Sequence, residues 1–405
     1  MNNTPFTYIE GGGVTSPQGF SASGVYAGLK KKDPDLAVLY SQVQSAVAGV
    51  FTINRVKAAP LLVTIPRVAA GAAQALVVNS GNANACTGED GIGDAYEMGR
   101  LTADLLDLPE DRVLVASTGV IGVRLPVDRI AAALPSAVAG LNREGGVKAA
   151  RAIMTTDTVS KQAAVSFALG THRITVGGMA KGSGMIHPNM ATMLGFVTTD
   201  IALRPQHLQE ALRYANERSF NMISVDGDTS TNDMLLVLAN GLAGNDPVEP
   251  GTPEFALFRE ALTAVCIKLA KMVARDGEGA TCLLEVRVKG APTEEDAQKA
   301  ARAISASSLV KAAIFGRDAN WGRVICAAGY SGAEFNPNSF DVHLGDLPVA
   351  LAGRGLEFDE QRATAILKED PVVVTVDLHS GDAVAVAWGC DLSYDYVKIN
   401  AAYRT

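Results

Sequence analysis

Apolar positions along this chain follow two rhythms, and the rhythm changes often. Short apolar or alternating runs at 37–40, 48–54, 61–65, 76–79 and 112–119 predict strands. Residues 93–108, 126–134 and 146–154 carry the 3.6-residue spacing of helices, and Pro135 is expected to end or kink the second of them. Residues 163–169 and 173–177 predict a hairpin, and the run 192–198 predicts a core strand. Helices follow at 205–218 and 253–274, with an apolar run at 234–238 between them. A strand at 282–288, a helix at 293–304 and strands at 340–344, 372–378 and 383–387 complete the reading. Strands and helices intermix throughout, so the expected class is mixed α/β (α+β), without a fixed-period repeat or a low-complexity linker.

One stretch breaks this texture. Lys181-Gly-Ser-Gly-Met-Ile-His-Pro188 is a glycine- and proline-punctuated loop that delivers Thr192 to the first position of an apolar strand. Composition narrows what such a loop could serve. Hydrophobic residues make up 48% of the 405 and charged residues 19%, which suits a folded globular protein rather than a disordered one. No apolar run reaches transmembrane length, and residues 1–6 lack a basic region and apolar core, so a cytoplasmic protein is expected. The net charge of −8 and the lack of a basic block argue against nucleic acid and anionic membrane as partners. Five scattered cysteines and five unpaired histidines give no metal-ligand spacing, and neither a metal nor a resident cofactor is expected.

Several motifs fail on inspection. Gly177-Gly-Met-Ala-Lys-Gly-Ser183 has its lysine in the wrong order for a phosphate loop, and no G-x-S-x-G elbow occurs. The acid-rich run 226–233 lacks the central glycine and closing glutamate of a calcium loop, so it reads as an Asx-bonded turn. Thr192 remains. A threonine hydroxyl is a weak nucleophile that needs a nearby base. A terminal threonine carries one, because its own α-amine, with a reference pKa of about 8, can accept the hydroxyl proton. That amine exists only if the Ala191–Thr192 bond is cut. Attack of the Thr192 hydroxyl on the Ala191 carbonyl would cut it.

The residues around this stretch resemble the ornithine acetyltransferase (ArgJ) family, also called glutamate N-acetyltransferase. The likeness is carried by Lys181-Gly-Ser-Gly-Met185 with Pro188-Asn-Met-Ala-Thr-Met-Leu194, and by blocks spread over nearly the whole chain. Among these are Asn79-Ser-Gly-Asn-Ala-Asn-Ala-Cys86, Ser117-Thr-Gly-Val-Ile-Gly122 and Ile153-Met-Thr-Thr-Asp-Thr158. Arg275-Asp-Gly-Glu-Gly-Ala-Thr281, Asp318-Ala-Asn-Trp-Gly-Arg323 and Asp395-Tyr-Val-Lys-Ile-Asn400 follow in the family's order. One departure occurs, Cys282 where a basic residue is expected.

The resemblance implies a layered α/β fold and self-cleavage into an α chain of 1–191 and a β chain of 192–405. It implies ping-pong transfer of acetyl from N-acetylornithine to glutamate through an acetyl ester on Thr192, serving arginine biosynthesis. It assigns Thr118 and Gly119 to an oxyanion hole, and Thr155, Lys181, Thr192, Glu278, Asn400 and Thr405 to substrate binding. A heterotetramer of two α and two β chains is expected from the same source. Some members of the family also use acetyl-CoA as a co-substrate, and the reading leans to that bifunctional form. An autoproteolytic amidohydrolase or aminopeptidase is the alternative, since it needs the same nucleophile.

Overall fold

The computed structural model describes residues 5–187 and 193–402. Thr192, Ala191 and Thr405 lie outside the described residues. Among the described residues the strands form two sheets, one of nine strands and one of seven. The centre of the larger sheet explains the unbroken apolar runs of the sequence. Leu194–Thr199 and Met234–Ala239 are buried at every position and pair in parallel, with Leu194 opposite Met234. Strands covered on both faces lose the alternation that a half-exposed strand shows.

On one side Leu194–Thr199 pairs antiparallel with His172–Lys181, which forms the expected hairpin with Lys161–Leu169. On the other side Met234–Ala239 pairs with Leu36–Phe51. Strands from before and after position 191 therefore share one sheet. The long helix Pro253–Arg275, started by a proline in its first turn and capped by Thr252, packs between the two sheets. Its Phe258, Leu262 and Leu269 join Val165 and Val176 of the larger sheet and Val286 and Ala387 of the smaller in one core. No helix among the described residues is long and apolar enough to cross a membrane.

Three local expectations were overturned. Residues 37–40 and 48–51 are parts of a single strand, Leu36–Phe51, and 52–54 lie beyond its end; its pairing with Ala72–Asn82 shifts register between Tyr40 and Ser45. Residues 61–65 are not a strand but belong to the helix Ala59–Ala69, with Leu61, Val63, Thr64, Arg67 and Val68 buried. The β-branched run misled the reading, while Pro60 in the first turn favours the helix. Pro135 does not end its helix, which runs Val127–Ala139 with Ile130, Leu134 and Ala137 buried. Packing of that face outweighs the one backbone donor the proline removes.

Candidate active site

The helix Ala59–Ala69 matters to the site because it closes the open edge of the strand Val113–Val120. That strand ends the larger sheet and would expose unpaired backbone groups. Thr64 Oγ1 donates to the Val115 carbonyl at 2.7 Å and accepts from the Val115 amide at 3.0 Å, and Arg67 donates to the Val113 carbonyl. The strand so pinned delivers Thr118 and Gly119 to a cavity of about 130 Å³. Gly119 sits at φ +135°, and a Cβ there would meet the Gly81 carbonyl carbon at 2.3 Å, so the parallel neighbour leaves room for glycine alone.

Lys181 enters the same cavity from the end of its strand. Its ammonium donates to Thr155 Oγ1 at 2.8 Å and lies 3.4 Å from Thr118 Oγ1. With 7% of its surface exposed it is a buried cation, and burial lowers its pKa from the ordinary lysine value. An ion network behind it fixes the geometry. Lys161, fully buried, donates to Asp157 at 2.7 Å and to Asp276 at 2.6 Å. Asp157 also accepts from the amides of Gly182 at 2.7 Å and Thr155 at 3.0 Å. Burial alone would raise the Asp157 carboxyl, but the Lys181 and Lys161 ammonium groups more than offset it and hold its pKa at about 2.

Asp276 carries the network to the opposite wall. It accepts from the Thr158 amide at 3.0 Å, its carbonyl takes the Ser183 hydroxyl at 2.7 Å, and the Glu278 amide donates to the Ser183 carbonyl at 3.1 Å. Glu278 is 7% exposed, and its Oε2 accepts from Asn400 Nδ2 at 2.8 Å. A Cβ on Gly184 would come within 2.5 Å of the Glu278 carboxyl, so glycine there permits the approach.

The loop just upstream of position 191 is thus tied at Gly182 and Ser183. It is tied again at Met185 and Ile186, whose amides donate to Asp226 at 2.6 and 2.8 Å. Met185 sits at φ +58°, an uncommon conformation for a side chain of its size. Beyond the undescribed residues, Met193 lines the cavity and its carbonyl accepts from Met234 at 3.0 Å.

Of the residues named from sequence, the structure brings Thr118, Gly119, Thr155, Lys181, Glu278 and Asn400 to one cavity. Thr192, Ala191 and Thr405 lie outside the described residues. Taken alone, Lys181 and Glu278 are residue types most often found solvated, yet both are buried. Sequence reasoning missed Asp157, Lys161, Asp276, Asp226 and Asp233. The run 226–233 does contain an Asx turn, with the Asp228 amide donating to Asp226 at 3.2 Å, but it also reaches the loop at 185–186 and lines the cavity. Cys282, the departure from the family pattern, is buried, and burial with the nearby Asp391 and Asp370 carboxyls pushes its thiol up to about 12. It is inert at neutral pH.

A buried cation and a buried carboxylate set across one small cavity, beside a hydroxyl and a glycine turn, equip an enzyme for a zwitterionic acyl donor. The family model described as "ArgJ family" matches residues 21–405. The chain is 60% identical over 397 residues to the arginine biosynthesis bifunctional protein ArgJ of Symbiobacterium thermophilum, covering 97% of this chain and 99% of that protein. The protein of the same name from Caldanaerobacter subterraneus subsp. tengcongensis is 52% identical over 398 residues, covering 97% and 99%. A crystal structure of arginine biosynthesis bifunctional protein ArgJ from Bacillus halodurans aligns with a TM-score of 0.51 and 52% identity. It covers 52% of this chain and 100% of its own. The chain belongs to the ArgJ family.

Proposed function

We propose that this chain is the glutamate N-acetyltransferase of arginine biosynthesis, moving acetyl from N2-acetyl-L-ornithine to L-glutamate. In the first half-reaction the Thr192 hydroxyl attacks the amide carbonyl of the donor. The Thr192 α-amine takes the hydroxyl proton and passes it to the departing ornithine nitrogen, leaving an acetyl ester on Thr192. In the second, the glutamate amine attacks that ester and the proton returns. Thr118 Oγ1 and the Gly119 amide stabilise the oxyanion in both. Lys181 pairs with a substrate carboxylate and Glu278 with an ammonium, with Thr155, Asn400 and Thr405 completing substrate binding.

The single observation that carries this reading is the opposite pair, Lys181 and Glu278, in the cavity that Met193 also lines. Met193 is the direct neighbour in sequence of Thr192. Self-cleavage at Ala191–Thr192 supplies the amine. It is supported by the Bacillus halodurans chain, whose whole length corresponds to about half of this one, the size of either product of such a cut. Because strands on both sides of the cut share one sheet, the products stay interlocked, and we take two α and two β chains to form the working cytoplasmic assembly. Acetyl-CoA, the co-substrate of the bifunctional form, would load the same threonine, with no resident cofactor required.

The decisive assay measures ornithine release from N-acetylornithine with and without glutamate. Release that depends on glutamate supports the transferase; release at the same rate without it favours the amidohydrolase.

A further inference from the structure

Among the described residues, one buried carboxyl of the cavity has neither a role in the proposed chemistry nor a partner for one of its oxygens. Asp233 immediately precedes the buried strand Met234–Ala239 and is 3% exposed. Its Oδ2 is buried and has no hydrogen-bond partner among the described residues. Asp228 is exposed to solvent, and the remaining acids are committed: Asp226 to the amides of Met185 and Ile186, Asp157 to Lys161 and two amides, Glu278 to Asn400. An unpaired buried polar atom is destabilising and is kept where it serves something.

The groups facing Asp233 make clear what would satisfy it. Lys181 is the lining cation, and its ammonium already serves Thr155 and Thr118. Asp226, Asp228, Glu278 and the Tyr396 phenol from the C-terminal helix bring negative charge or neutral oxygen. Burial pushes the Asp233 carboxyl well above its ordinary range, while Ser230 and Lys181 act the other way. Burial thus disfavours the lone anion, and a cation placed at Oδ2 would offset that.

We infer that Asp233 receives a primary ammonium within the cavity, forming an ion pair through its free Oδ2. Where the carboxyl carries a proton, a bound ammonium displaces it to water and a bound free amine takes it onto its nitrogen; where it does not, the ammonium pairs with the carboxylate directly. Two amines have this chemistry: the α-amine that cleavage creates on residue 192, and an amine of the ornithine substrate. The inference rests on the transferase reading for the identity of both.

The test compares the full-length wild type with Asp233→Asn on N-acetylornithine and on an uncharged acetyl ester, with ornithine binding and thermal melting measured beside them. The variant should melt no lower than wild type at pH 7, because asparagine keeps the shape and removes a carboxyl whose charged form burial disfavours. Its kcat/KM should fall tenfold or more. If the substrate amine is the partner, the loss falls harder on N-acetylornithine and ornithine binding weakens. If the α-amine is the partner, both donors lose equally and the pH–rate profile shifts. Wild-type kinetics and ornithine affinity in the variant overturn the inference. A wild type that transfers no acetyl defeats the transferase reading instead; ornithine binding and the titration of the residue 192 α-amine then decide this one, and two proteins alike in both overturn it.

Discussion

The two walls of the cavity are built differently. On one side Thr118 and Lys181 sit on strands inside the larger sheet, and Thr155 is tied to them through the Asp157–Lys161–Asp276 network. On the other, Asn400 rides on the helix Tyr394–Ala402, in which no residue is buried. That helix is held through Ser393 Oγ to the Gly279 carbonyl at 2.6 Å, the edge of Phe315 against Tyr394, the Tyr396 phenol bonded to Asp226, and Asn400 to Glu278. The difference matches a two-step reaction. Groups that meet the reacting carbonyl must not move between steps, whereas two amino acids must enter and leave in turn. An exposed helix of this kind opens locally more readily than strands paired within a sheet.

Breaking the rigid wall should have the largest effect. Lys161→Met leaves two buried carboxylates without their shared cation and should lower stability by about 3–5 kcal/mol, read by urea unfolding. A variant as stable as wild type would show that the network is ornamental. A gentler probe of the same wall is acid. Because the Asp157 pKa is depressed in the fold, its contribution is fully present above its ordinary value of 3.8. It disappears as pH falls from there towards about 2. Stability measured against pH should therefore drop through that window, and Asp157→Asn should flatten the drop.

Glu278 joins the walls. Glu278→Gln keeps its shape but loses the charge proposed to meet an ammonium, and should raise KM for N-acetylornithine by roughly ten- to a hundredfold, the scale of one charged hydrogen bond. The smallest effect belongs to the loose wall. Asn400→Ala removes two hydrogen bonds on an exposed helix, to the Glu278 carboxylate and the Tyr396 carbonyl, and should raise KM several-fold while leaving the melting temperature nearly unchanged. A large stability loss in that variant would contradict the contrast between the walls.

The same contrast governs what could be read from sequence. Strands and long helices were legible because their faces are apolar at a fixed period, as in Lys161–Leu169 and Pro253–Arg275. The helix Ala59–Ala69 was missed because Leu61-Leu-Val-Thr-Ile65 has strand-like composition, and only its contacts with the edge strand show why it is helical. The helix Tyr394–Ala402 has no apolar face to declare it. Within the site, Lys181, Thr155, Glu278 and Asn400 were legible through family motifs. Lys161 was not, since a lysine at the head of an apolar strand looks like an exposed end until its two carboxylate partners, 4 and 115 residues away, are seen around it. Asp233 was passed over for a related reason. A cluster of acids reads as a solvated turn, and nothing in the spacing separates the one acid that is buried.

The central claim is that acetyl rests on Thr192 of a chain cut before it. Intact-mass measurement of the purified protein, alone and after mixing with N-acetylornithine, tests this directly, with Thr192→Ala as control. Wild type should give two fragments. The 192–405 fragment should become one acetyl group heavier with the donor and return to its first mass when glutamate is added, while the variant stays whole and unmodified. A wild type that remains a single chain, or a 192–405 fragment that never carries acetyl, would contradict it.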